Sequence, residues 1–168
     1  MLALLFAQIP VPAEAPKLPA GITWRFDGAG RFPDVRPPTE WQRDRNILWK
    51  TPVEIGGYSS PIVVRDRVFV TEEMGSLVCL DVRDGKVLWS KPKVGKYHAA
   101  LLRTGDDKLL MLSDLGDLVL FEPDPAGYKE LARSKVVKGE AIWAHPALVD
   151  GKLYFRDEKE LICLQMPE

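Results

Sequence analysis

Residues 79–89 read CLDVRDGKVLW, and the architecture of the whole chain follows from what that stretch is for. It opens on an apolar pair, turns through Asp81, Asp84 and Gly85, and closes on Trp89 after a second apolar run. Two short apolar segments around a tight Asp/Gly turn form a β-hairpin pattern. The segment just before it, GSLVCL at 75–80, returns as GDLVLF at 116–121 and, without the glycine, as ELICL at 160–164. Leu48-Trp49 likewise precedes Leu88-Trp89, and Glu130-Leu131 stands at the next repeat with the indole lost. Ser60-Pro61 has a counterpart in His145-Pro146, and Arg67-Val68-Phe69 one in Lys152-Leu153-Tyr154.

A period near forty residues with four short strands in each copy is the mark of propeller blades. The strands of the first blade are expected at 60–64, 67–71, 76–82 and 86–91. Those of the second are expected at 99–103, 108–113, 117–122 and 128–136, and of the third at 145–149, 152–156 and 160–165. Residues 46–53 read as a lone outer strand of velcro type, the one the third blade would need. The fold class is therefore all-β, with about three four-stranded blades.

The run 79–89 resembles the tryptophan-docking repeat of quinoprotein-like (PQQ-like) propellers, whose pattern is Ala-x-Asp-x-x-x-Gly-Lys-x-x-Trp. Cys79 takes the Ala position, and Asp81, Gly85, Lys86 and Trp89 match directly. Trp49 would serve the third blade from the front of the chain. The resemblance covers most of residues 22–168 and is nearest to bacterial propeller-repeat proteins related to the outer-membrane assembly factor. It implies that Asp81 caps the turn, that Gly85 supplies a positive φ, and that Trp89 lies flat against the next blade. Those families form larger rings. Three blades can escape an overly splayed ring by joining a second chain to give six blades, or by remaining an open arc, and the pair is favoured.

Bulk properties narrow the function. The chain has 168 residues, 46% of them hydrophobic and 28% charged, with a net charge of −1. That balance leaves no electrostatic footprint for nucleic acid, and no apolar run reaches the roughly eighteen residues of a spanning helix. Residues 1–15 contain a short apolar run and Ala13-Glu14-Ala15, which fits a signal-peptide cleavage site. Periplasmic or extracellular residence is expected, with the cytoplasm as the alternative. Residues 16–45 form a Pro- and aromatic-rich arm carrying Trp24, Phe26, Phe32 and Trp41, and 46–168 form the repeat domain.

Candidate chemistry is sparse. His98 and His145 stand at the start of innermost strands and would face a central channel, where Asp114 or Asp150 could complete a metal site. The simpler expectation is a wet channel mouth lined by polar groups. Cys79 and Cys163 are expected as small hydrophobes packed between blades. Ser59-Ser60 before Pro61 lacks a nucleophile elbow, and Gly28-Ala29-Gly30 lacks a following helix to receive phosphate. The resemblance brings up PQQ and Ca²⁺, yet the sequence has no adjacent cysteine pair, and its one asparagine, Asn46, belongs to an outer strand. No cofactor, metal or catalytic residue is expected. The leading expectation is a non-enzymatic binding scaffold with a protein partner or a second copy. The alternatives are a remnant of a quinone-dependent oxidoreductase and a module that docks on a larger propeller by strand addition.

Overall fold

The computed structural model describes residues 36–40, 42, 45–53, 56–138 and 142–166. The first fifteen residues and most of the arm, including Trp24, Phe26, Gly28, Gly30, Phe32 and Trp41, lie outside that set. Eleven strands follow in order: β1 (Ile62–Val64), β2 (Arg67–Thr71), β3 (Leu77–Asp81), β4 (Val87–Lys91), β5 (Ala99–Arg103), β6 (Leu109–Ser113), β7 (Asp117–Glu122), β8 (Lys129–Lys135), β9 (Ala147–Val149), β10 (Lys152–Arg156) and β11 (Leu161–Gln165). They form two four-stranded antiparallel meanders, β1-β2-β3-β4 and β5-β6-β7-β8, and a three-stranded one, β9-β10-β11. The strand bounds agree with the repeat reading to within two residues at each end.

Why these runs lack the usual in–out alternation of a half-buried strand is clear from their packing. Every residue of β3, β5 and β6 is buried, because these sheets are covered on both faces. One core lies between the first two sheets and includes Val64, Phe69, Leu77, Cys79, Leu101, Met111, Val119 and Phe121. A second lies between the last two and includes Leu102, Leu110, Leu112, Leu118, Val137, Ile142, Leu153 and Phe155. The sheets thus stack face to face, and β1 touches β5 where the innermost strands meet.

Alternation survives as a rule about direction. In β3, Leu77 and Cys79 face the second sheet, while Val78 and Leu80 face the other way, toward Trp49. In β7, Val119 and Phe121 face back to the first sheet and Leu118 faces the third. In β11, Ile162 and Leu164 pack back on the second sheet. Leu161 and Cys163, the repeat partners of Leu77 and Cys79, are exposed, Leu161 by 76%. Cys163 therefore departs from the expected inter-blade packing: its side of the sheet has no covering neighbour among the described residues.

Residues 47–53 also differ from the expected outer strand. They carry no β-ladder among the described residues, although Trp49 packs on Val68, Val78 and Leu80 of the first sheet. The segment lies beside blade one and does not reach β11.

Candidate functional site

Two features concentrate the repeat's special residues: a set of rim contacts between sheets and a pocket at the start of the innermost strands. The rim contacts grow directly from the docking repeat. The β3–β4 turn is held by Asp81, whose amide donates to the Lys86 carbonyl (2.9 Å) and whose carbonyl accepts from Gly85 (2.9 Å). The Asp81 carboxylate accepts the Arg83 amide (2.9 Å) and the Arg83 guanidinium (2.5 Å to Oδ2). Those Arg83 hydrogen bonds hold its carboxyl well below the usual carboxylate range. Lys86 is exposed, and its amide is capped by Asp84 Oδ1 (3.0 Å).

Gly85 has φ +72°, and a Cβ there would sit 2.4 Å from the Trp49 ring and 2.5 Å from Thr51 Oγ1. It is both the turn residue and the floor on which Trp49 lies. Trp49 Nε1 donates to the Val82 carbonyl at 2.9 Å, and Thr51 Oγ1 donates to the Gly85 carbonyl at 2.5 Å. Trp89 makes the same contact one sheet further on, its Nε1 donating to the Asp124 carbonyl at 2.8 Å. The Trp89 ring meets Phe69 (6.0 Å between centroids) and Tyr128 (6.3 Å, edge-to-face). Burial, with the Glu130 hydrogen bond, pushes the Tyr128 phenol up to about 12. Trp49 therefore docks on the first blade's turn, the contact that the tryptophan of a preceding outer strand makes. Among the described residues the joint between sheets two and three has no indole at its rim; Leu131, at the corresponding position, is 40% exposed.

The pocket, of about 300 Å³, is lined by Tyr58, Ser60, His98, Ala100, Leu101, Trp143 and His145. Ser60, His98 and His145 each stand one or two residues before the first strand of a sheet, so the stacking gathers repeat-equivalent positions at one mouth. The His98 ring stacks on Trp143 (5.9 Å, 17°), which stacks in turn near Tyr97 (6.5 Å, 12°). Both His98 ring nitrogens are buried without a hydrogen-bond partner among the described residues. Burial lowers the pKa of His98 against the opposing pull of Asp114; burial and then His98 lower that of His145. Two neutral imidazoles with a flat indole can stack on and hydrogen-bond a small polar ligand.

Asp114 is not directed into the pocket as a ligand. Its carboxylate accepts the amides of Lys96 (2.9 Å) and Tyr97 (2.8 Å), its own amide donates to the His98 carbonyl (2.9 Å), and its carbonyl accepts from Ile142 (3.2 Å). One buried residue thereby holds both walls of the mouth, the Lys96–Tyr97 side through its carboxylate and the Ile142 side through its backbone. Asp150 lies apart, in the exposed β9–β10 turn. Among the described residues no group of three or more His, Cys, Asp or Glu is placed to hold a metal. Ser59 is tied to the end of β2, with its Oγ accepting the Thr71 amide and donating to the Thr71 carbonyl, both at 2.8 Å. Cys79 is fully enclosed, and burial raises its thiol to about 11. Sequence reading missed Trp143 and Asp114's bracing role; Trp143 stands two residues before His145 as Tyr58 does before Ser60, and Asp114 two before Gly116 as Glu73 does before Gly75.

Antiparallel sheets stacked around a line of inner strands, with indoles hooked on the next turn at the rim, define a set of β-propeller blades. The family model described as outer membrane protein assembly factor BamB matches residues 39–164, and the chain belongs to that family. A curated relative, the outer membrane protein assembly factor BamB of Alkalilimnicola ehrlichii, is 33% identical over 84 residues, which is 50% of this chain and 18% of that protein. The crystal structure of BamB from Moraxella catarrhalis superposes with a TM-score of 0.59 at 19% identity, over 71% of this chain and 36% of that one. The likeness to that structure is one of fold. The chain spans well under half the length of both relatives.

Proposed function

We propose that the chain is a non-enzymatic propeller scaffold that binds protein partners in the periplasm, in the service of outer-membrane protein assembly. One observation carries the reading: the residues of the docking repeat are occupied in packing or in a turn. Asp81 caps, Gly85 supports an indole, and Trp49 and Trp89 each hold the next blade. What is left for function is the loops that a rigid stack presents, the usual binding surface of such folds. The name of the family and of the curated relative, outer membrane protein assembly factor, supports the assembly role, and periplasmic residence is inferred from that role.

The test is crosslinking and co-purification of the tagged chain from intact envelopes of its own bacterium. Recovery of the outer-membrane β-barrel assembly machinery is the expected result. Turnover of a quinone acceptor by the purified chain with an alcohol or aldehyde panel would overturn it.

The stacked His98–Trp143 pair favours one second reading, a ligand-binding remnant of a quinone-dependent oxidoreductase. It requires PQQ or Ca²⁺ to raise the melting temperature with concentration. The scaffold reading requires no shift from either.

A further inference from the structure

We propose that the pocket at the head of the inner strands is a binding site for an uncharged sugar residue. Aligning the three sheets by ladder register, and not by strand ends, shows how it is built. Cys79, Leu120 and Cys163 are equivalent in the repeat. They pair with Phe69, Leu110 and Tyr154, which pair in turn with Ile62, Leu102 and Ala147 on the innermost strands. Two residues before those three stand Ser60, Ala100 and His145, and four before them stand Tyr58, His98 and Trp143. All six line the pocket. Three consecutive sheets of this chain therefore each supply one ring to an outer layer and one further side chain to the layer beneath it.

The lining selects a class of ligand. It contains no Asp, Glu, Lys or Arg, and burial lowers the pKa of both histidines, so they are neutral at pH 7. A carboxylate, phosphate or ammonium group would leave water there without a counter-charge. A wholly apolar ligand would set hydrocarbon against the Ser60 hydroxyl and the imidazoles. What fits is a neutral molecule with a flat C–H face and several hydroxyls, and a pyranose ring has both. Its C–H face lies on an indole, and each hydroxyl donates and accepts. The second property matters at His98. A neutral imidazole offers one donor and one acceptor, and both His98 nitrogens are buried with no hydrogen-bond partner among the described residues. Hydroxyls complete either tautomer. Trp143 is the part that moves: it lies over His98 at 5.9 Å and 17° yet is 53% exposed. A slide of that indole uncovers the imidazole edge and presents its own face to the sugar. The pocket volume of about 300 Å³ stands at the low end of the range for ligand sites, about 300–1,000 Å³, which suits a short saccharide.

The experiment is saturation-transfer difference NMR on the full chain with glucose, mannose, galactose and N-acetylglucosamine, followed by titration of the strongest. Transfer to the ring C–H protons of at least one of them is expected. Trp143→Ala should weaken that binding about tenfold, the loss of one good aromatic contact, and Ser60→Ala should weaken it by a smaller factor. Both side chains belong to exposed residues, so an unchanged melting temperature is expected of each variant. If truncating the indole disturbs the fold, Ser60→Ala carries the same test. No transfer to any of the four sugars overturns the proposal. Binding left at full strength by both substitutions puts the sugar elsewhere and overturns it as well. Glucuronate or adenine bound more tightly than the neutral sugars reassigns the pocket to an anion or a nucleobase, which also overturns it. The sugar site and the scaffold reading fail separately: absent sugar binding leaves co-purification of the assembly machinery untouched, and failed co-purification leaves the sugar titration untouched.

Discussion

The indole of Trp89 donates to the backbone carbonyl of Asp124, 2.8 Å away and 35 residues further along, and Trp49 reaches the Val82 carbonyl, 33 residues on, at 2.9 Å. Segment 47–53 is thus fastened to blade one, and blade one to blade two, at the outer rim by one ring and one hydrogen bond, while the cores lie inward. Trp89→Phe keeps most of the apolar contact and loses the bond, so it should cost about 1 kcal/mol. Trp89→Ala should cost about 3 kcal/mol, since Phe69 and Tyr128 lose their shared partner. Urea unfolding of the three proteins checks both the order and the gap.

Gly85 and Gly127 occupy the same place in consecutive hairpins but should respond differently. A methyl at Gly85 meets the Trp49 ring in a backbone of positive φ; at Gly127 it meets nothing within 4 Å. Gly85→Ala should cost about 1–3 kcal/mol, and Gly127→Ala should lie within about 0.5 kcal/mol of the parent. Equal melting temperatures for the two variants would remove the role given to Gly85 as the indole's floor.

Asp114 offers a local test. Asp114→Ala removes the side-chain acceptor of the Lys96 and Tyr97 amides, at about 1 kcal/mol for each of these part-buried hydrogen bonds. Amide hydrogen exchange at 96–98 should accelerate by more than exchange in β2, and the pocket mouth should lose its fixed width.

The two histidines set a pH dependence. Burial holds both below their ordinary 6.5, so the folded chain keeps them neutral while the unfolded chain takes up protons as pH falls through about 6.5. The unfolded state then binds more protons, and stability should be full above neutrality and decline below it. Replacing both by Gln should flatten that part of the melting-temperature curve. Asp81, depressed by Arg83, has the opposite chemistry with the same sign, but its contribution is kept until pH falls below the ordinary carboxylate value of 3.8. A pair of histidine substitutions that leaves the slope between pH 7 and 5 unchanged would show that burial of these rings is not what sets it.

The blades were legible because their punctuation is local. Asp81, Gly85 and Trp89 lie within one hairpin, and a repeat of such hairpins needs only spacing to be seen. What lay beyond that reading depends on stacking order. That Trp49 fastens blade one, that Cys163 is bare while Cys79 is enclosed, and that Asp114 braces a loop instead of holding a metal all follow from which face of which sheet has a neighbour. The shared pocket of His98 and His145 was half legible: their position before inner strands is in the sequence, but the stacking of Trp143 on His98 is not.

The rim contact described first also bears on how such a chain can change length. Because the hook uses a carbonyl in the neighbour's turn, and not a particular side chain, Val82 and Asp124 serve it equally well. Any blade of the type can follow any other without a matched mutation on both sides. Copy number then behaves like the number of links in a chain: units can be gained or dropped whole, and the joint that remains is already the right one.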